Sequence, residues 1–103
     1  MHNELDIKKL HEMLKSGEIT SEELVKESLE KSKEIEEKCN AFALILEDAK
    51  GSCVTDNLLS GIPYGIKDNY STKDIESCAS SNTLTGYVPF FDATVIEKLK
   101  SAG

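Results

Sequence analysis

The stretch GIPYGIKDN, residues 61–69, carries the clearest signal in this sequence. Its apolar residues between glycines predict a short buried strand, and the glycines allow other backbone to approach closely. The strand ends at Lys67, followed at once by Asp68 and Asn69, whose side chains often close turns by bonding to backbone. A lysine held partly dry at a strand end can exchange protons, so Lys67 is a candidate catalytic residue. The alternative is an ordinary surface lysine, because lysine is almost never fully buried unless it is paired.

Two helices are predicted before this strand, as a pair that covers about residues 5–38. The first has apolar side chains at helical spacing, and Gly17 stands where that helix would end. Thr20 and Glu23, three residues apart, form a capping-box pattern, which predicts the start of the second helix. Each helix has one apolar side, so we expect the two to pack together.

Residues 40–103 are predicted to contain strands, loops and a final helix. NAFALILEDAK, residues 40–50, indicates a short buried strand followed by a helical stub, although its periodicity does not exclude a helix. The small, hydroxyl-rich segment 77–86 indicates a loop with a short helical turn. The last helix is predicted at 93–102, with Asp92 as its cap. Alternation of helices and strands in 103 residues predicts one domain of the α/β class.

Composition excludes several kinds of function. Lysine and arginine total 12 and aspartate and glutamate total 19, a formal net charge of −7. Direct binding to nucleic acid or to an anionic membrane is therefore not expected, since both need a basic face. No apolar run approaches the roughly 20 residues of a membrane span, and the N-terminus lacks the pattern of a secretory signal. Three cysteines without a C-x-x-C spacing predict reduced thiols, no zinc site and a cytoplasmic protein.

Several segments, taken in order, resemble the amidase-signature family, and within it the A subunits of bacterial aminoacyl-tRNA amidotransferases. They cover essentially the whole chain: LHEMLKSGEITSEELVKESLEK (10–31), NAF (40–42), GIPYGIKDN (61–69), SCAS (77–80) and YVPFFDATVIEKLKSAG (87–103). The resemblance implies a single truncated N-terminal portion of the amidase fold, residues 1–103. In that fold a helix pair is followed by strands of a mixed sheet and a C-terminal helix.

The resemblance also implies a catalytic chemistry. Members of the family use a nucleophilic serine, a second serine and a lysine, and the lysine takes the nucleophile's proton through the second serine. Only the lysine has a counterpart here, at Lys67. The family's serines lie in a Gly/Ser-rich loop that this sequence lacks, and the one adjacent serine pair, Ser80-Ser81, has no flanking glycine. A base without its nucleophile has nothing to activate, so the chain alone is expected to be inactive.

Partners follow from the same resemblance. The related A subunits hydrolyse glutamine and pass ammonia to a partner subunit, which holds mischarged tRNA and uses ATP with magnesium. No cofactor is expected in this chain, and its expected partners are other amidotransferase subunits or a separately encoded remainder of the amidase. A non-catalytic binding or complementation module and a nonfunctional relic are the alternatives. The segment 47–60 is shorter than in the family, which predicts an exposed apolar patch that includes Leu58, Leu59 or part of the lysine strand.

Overall fold

The computed structural model describes residues 2–103, and helices are its regular elements. The helices are α1 (Ile7–Ser16), α2 (Ser21–Cys39) and α3 (Thr94–Ala102), with single 3-10 turns at His2–Glu4 and Asn82–Leu84. None of the helices in residues 2–103 combines the length and the apolar character needed to cross a bilayer. The short turn at Asn82–Leu84 confirms the one predicted within 77–86.

Two compact units are present in the described chain. The first comprises the described residues up to Pro63, together with Ala102 and Gly103. The second is Tyr64–Ser101, and it contains the candidate lysine.

Local hydrogen bonds set the ends of α1 and α2. The Asp6 carboxylate accepts a hydrogen bond from the Lys9 amide at 2.8 Å and caps the start of α1. Gly17 ends α1 in a left-handed conformation, φ 78°, which glycine adopts without steric cost. At the start of α2, the Glu23 amide donates to the Thr20 hydroxyl at 3.2 Å and the Thr20 amide donates to the Glu23 carboxylate at 2.9 Å. The predicted capping box and the stop at Gly17 are therefore confirmed.

The core of the first unit is a small apolar cluster from α1, α2 and the turn between them. Leu24 of α2 lies at its centre and is only 1% exposed. The buried members are Leu10, Met13, Ile19 and Leu24, and the half-buried Leu14 and Ile62 pack against them. Because Ile62 belongs to the GIPYGIKDN stretch, the cluster holds the beginning of that stretch against the helices.

Buried hydroxyls and close backbone contacts complete this attachment. The Ser21 hydroxyl, at the first residue of α2, donates to the Gly61 carbonyl at 2.6 Å. The Gly61 amide donates to the Gly103 carbonyl at 2.7 Å. Gly51 lies so close to Ser21 that a Cβ there would overlap the serine's backbone. Both the carbonyl and the amide of Gly61 are thus hydrogen-bonded, and these bonds fix the position of the first residue of GIPYGIKDN.

The predicted mixed sheet is not formed by residues 2–103. Their one β-type pairing is an isolated antiparallel bridge between Thr72 and Ile75. The stretches 40–46 and 61–67 are irregular, and the predicted stub after the first of them is only a turn at 47–48. The predicted burial of the first stretch is wrong too, since Leu44 is 56% exposed. A strand requires a neighbour to pair its amides and carbonyls, and neither stretch has β-type pairing with another segment of residues 2–103.

In the second unit α3 buries Ile96, and the role of Asp92 differs from the prediction. The carbonyl of Ala93 accepts the first helical bonds, from the amides of Ile96 and Glu97. The Asp92 carboxylate instead accepts from the Lys100 amine at 2.7 Å and the Lys73 amide at 2.8 Å. The hydrogen bond from Lys100, with that from the Lys73 amide, holds the pKa of Asp92 below its usual value. Asp92 therefore ties the end of α3 to a distant loop rather than capping its start.

Candidate functional site

The site predicted from sequence is centred on Lys67, which opens a tight turn in the second unit. The Tyr70 amide donates to the Lys67 carbonyl at 3.0 Å and closes this turn, residues 67–70. The Lys67 side chain is exposed, and within residues 2–103 its amine has no hydrogen-bond or ion-pair partner. Tyr64 and Ile66, apolar residues of the stretch that was predicted to be buried, are themselves 49% and 38% exposed. In this chain, then, the lysine has an anchored backbone and a solvated amine.

Asp68 has a different role from the one its sequence position suggests. Its side chain does not close the turn at 67–70 but reaches the SCAS segment. One carboxylate oxygen accepts from the Cys78 amide at 3.2 Å and the other accepts from the Ser80 amide at 3.1 Å. Its backbone carbonyl accepts from the Ala79 amide at 3.0 Å. Two segments that the sequence singled out separately are thus bound together through one residue.

The loop at 77–81 carries three hydroxyls and one thiol, and all but the exposed Ser80 hydroxyl have structural partners within residues 2–103. The Ser77 hydroxyl is buried, and it donates to the Ile75 carbonyl at 3.1 Å. The Cys78 thiol donates to the Glu76 carboxylate at 3.0 Å, and this hydrogen bond raises the pKa of the thiol. A raised pKa disfavours the thiolate, which is the nucleophilic form of cysteine. The Ser81 hydroxyl accepts from the Thr83 amide at 3.3 Å and caps the short turn that follows.

Two clefts elsewhere in residues 2–103 are alternative candidate sites. One open cleft is lined by His11, Lys15, Cys53 and their neighbours, and a second by His2 and several glutamates. Both clefts lie in the first unit, whereas Lys67 belongs to the second. No group of three or more His, Cys, Asp or Glu side chains within residues 2–103 is arranged to hold a metal ion. The Lys67 turn with its bound loop therefore remains the candidate site.

Sequence reasoning found the lysine and missed its connection to the SCAS segment. The acid immediately after the lysine was a usable signal, as was the run of small residues at 77–81. A carboxylate accepts two backbone amides readily, and small residues allow a loop to fold closely around it. What the sequence did not show was that these two elements, ten residues apart, meet.

Known proteins are similar in sequence to this chain along most of its length. A family profile described as Amidase matches residues 23–103, a range that includes the lysine turn, the SCAS segment and α3. The chain is 44% identical to the A subunit of the glutamyl-tRNA(Gln) amidotransferase from Lactobacillus gasseri, over 94% of this chain and 21% of that protein. It is 45% identical to the protein of the same name from Oenococcus oeni, over 91% of this chain and 21% of that protein. It is 39% identical to the protein of the same name from an Exiguobacterium species, over 94% of this chain and 22% of that protein. No solved structure matched the chain.

These matches have a defined extent. The chain spans about a fifth of the length of the curated relatives it matches, and the matched part is their N-terminal portion. Within this chain, however, the family profile covers well over half of the residues, from Glu23 in α2 to Gly103. The similarity to relatives extends further and takes in nearly the whole chain. The chain therefore belongs to the amidase family.

Proposed function

We propose that this chain is the lysine-bearing N-terminal portion of an amidase that acts as the A subunit of a glutamyl-tRNA(Gln) amidotransferase. The activity of the whole enzyme would be hydrolysis of the glutamine amide, which supplies ammonia for transamidation of mischarged tRNA in the cytoplasm. The observation that carries the proposal is the similarity over 94% of the chain to a protein of that name, in a family match that includes Lys67.

In this proposal Lys67 is the base of a Ser-Ser-Lys arrangement. Its neutral amine would take a proton from the nucleophilic serine through the second serine, and the serine would then attack the amide carbonyl. Both serines would come from outside this chain. Since the amine is exposed here, the drier setting that favours a neutral lysine would come from the same added segment. The exposed Tyr64 and Ile66 beside the lysine are the surface that such a segment would cover.

The chain alone would then be inactive, and its partners would supply what it lacks. These partners are a separately encoded remainder of the amidase or the other amidotransferase subunits, one of which would bind tRNA and use ATP with magnesium. The net charge of −7 agrees with an arrangement in which a different subunit holds the tRNA.

Binding without catalysis is the second candidate function. It is favoured by the amount of apolar surface left open in the lysine unit, where Phe90 is 84% exposed and Val88 52%. Leu58, in the segment 47–60, is also exposed, at 43%, whereas the neighbouring Leu59 is half-buried. A contiguous patch of such side chains would be typical of a surface that a partner covers. A nonfunctional relic would leave the same side chains open but would bind no partner.

The experiment that tests the proposal is a chimera in which residues 1–103 replace the matching segment of the Lactobacillus gasseri relative. We expect glutaminase activity in the chimera and none in the 103-residue chain. Lys67→Ala should lower kcat by about 10²–10⁴-fold, the range for loss of a general base, and Lys67→Arg should do the same because arginine does not deprotonate. Lys73→Ala, an exposed lysine of the same unit, is the matched control and should leave kcat unchanged.

Three results would count against this. An active chimera that keeps its rate in Lys67→Ala would remove the lysine from the mechanism. Turnover by the chain alone, abolished in Lys67→Ala, would show that it needs no added serine. An inactive chimera, with a chain that co-purifies with the other amidotransferase subunits, would favour the binding module instead.

A further inference from the structure

Asp68 accepts hydrogen bonds from three consecutive backbone amides. The amides of Cys78 and Ser80 donate to its two carboxylate oxygens, and the amide of Ala79 between them donates to its carbonyl. Three donors from one loop on one residue leave that loop little freedom to slide along the turn at 67–70. Two of the three bonds are made to a charged acceptor, which makes them stronger than bonds between neutral groups.

The loop needs such a partner because its backbone is unfavourable by itself. Ala79 and Ser80 are both left-handed, with φ 48° and 56°. Residues other than glycine, asparagine and aspartate rarely adopt this conformation, and two in succession persist only when surrounding contacts impose it. The three bonds to Asp68 are contacts of that kind, since they begin just before and end within the left-handed pair.

One of these three bonds, together with the bond that closes the turn 67–70, restrains the backbone that carries Lys67. The Lys67 carbonyl is held by the Tyr70 amide and the next carbonyl, that of Asp68, is held by the Ala79 amide, both at 3.0 Å. Two successive peptide planes are thus fixed immediately after the lysine Cα. The Cα–Cβ bond of Lys67 therefore projects from a backbone held by two hydrogen bonds, although its exposed side chain has no contact of its own with the loop.

We propose that Asp68 is a positioning residue, whose carboxylate clamps the loop 78–80 onto the turn 67–70 and so fixes the direction in which Lys67 projects. The importance of this direction for amide hydrolysis rests on the proposed function; the clamp itself does not. In that reaction the clamp aims the lysine before any serine arrives, which reduces the ordering that must accompany assembly of the site.

The test uses NMR on the isotopically labelled 103-residue chain. Asp68→Ala removes both acceptor oxygens, and we expect amide exchange at Cys78 and Ser80 to rise about tenfold or more, as for loss of a charge-assisted hydrogen bond. Asp68→Asn keeps the shape but leaves one acceptor oxygen, so exchange should rise at one of the two amides. Asp74→Asn, the same chemical change at an exposed acid of the same unit, is the control and should change neither.

A further readout separates positioning from a general effect on stability. In both Asp68 variants the Tyr70 amide should exchange faster and the Lys67 side chain should gain motion by relaxation measurements, while Lys73 stays as it was.

Unchanged exchange at Cys78 and Ser80 in a folded Asp68→Ala chain would overturn the clamp. Faster exchange there without any change at Tyr70 or Lys67 would overturn the positioning role. If Asp68→Ala fails to fold, the near-isosteric Asp68→Asn decides by the same criteria. None of these measurements requires turnover, so the clamp can fail while the chimera remains active, and the chimera can be inactive while the clamp holds.

Discussion

Replacing Ser21 by alanine tests how Gly61, the first residue of the GIPYGIKDN stretch, is attached to α2. The Ser21 hydroxyl is buried, and its hydrogen bond to the Gly61 carbonyl, at 2.6 Å, joins the first turn of α2 to the first residue of GIPYGIKDN. The substitution Ser21→Ala deletes the donor and leaves that carbonyl inside the protein without it. Water has little access, since Gly51 and Cys53 lie against the same point.

The size of the effect follows from two terms. A buried acceptor that loses its donor costs about 1–3 kcal/mol. Alanine is the better helix former by roughly 0.5 kcal/mol, which offsets part of this loss. The net loss in the free energy of unfolding is therefore about 0.5–2.5 kcal/mol. With a urea m-value of about 1–3 kcal/mol per molar, the unfolding midpoint should fall by roughly 0.2–2.5 M.

Urea unfolding followed by circular dichroism measures this shift. Ser52→Ala is the matched control, because Ser52 is exposed and lies in the same unit without a hydrogen bond from its hydroxyl. It should change the free energy of unfolding by no more than about 0.5 kcal/mol, as for most surface substitutions. If Ser21→Ala were no less stable than Ser52→Ala, the attachment of Gly61 to α2 would not contribute to the fold.

Two other predictions concern the core and the acid stability. Leu24→Ala should lower the free energy of unfolding by about 2–5 kcal/mol, because Leu24 is 1% exposed at the centre of the cluster; the same change at the exposed Leu44 should cost far less in urea unfolding, and equal losses would contradict this core. The Lys100 hydrogen bond holds the pKa of Asp92 in the folded chain below its usual value of 3.8. The ionised Asp92 therefore stabilises the folded chain fully above the usual pKa, and this stabilisation is lost as the pH falls through the lowered pKa. Acid unfolding should therefore be less steep in Lys100→Gln, and an identical pH profile in both proteins would disprove this.

The parts of the fold that were predictable have short-range causes. Gly17 and the Thr20–Glu23 pair mark helix ends through bonds between residues three to five positions apart, and such bonds can be seen in a sequence pattern. The predicted strands failed because alternating apolar residues indicate which side would be buried but not which segment would lie alongside. The predicted cap at Asp92 failed for a related reason. Its carboxylate instead accepts hydrogen bonds from the Lys73 amide, 19 residues away, and from the Lys100 amine.

Knowledge of the candidate site likewise came partly from local sequence and partly from tertiary structure. The motif around Lys67, the capping signals and the family could all be obtained from the order of residues, since each depends on neighbours in the chain. Tertiary structure decided that the lysine amine is exposed and that Asp68 binds a loop 10 to 12 residues further on. A carboxylate can bond to any amide that the fold brings within about 3 Å, and local sequence does not specify which amides those are. The identity of the residues was enough to nominate Lys67 as a candidate base, and the folded chain alone showed what holds the backbone around it.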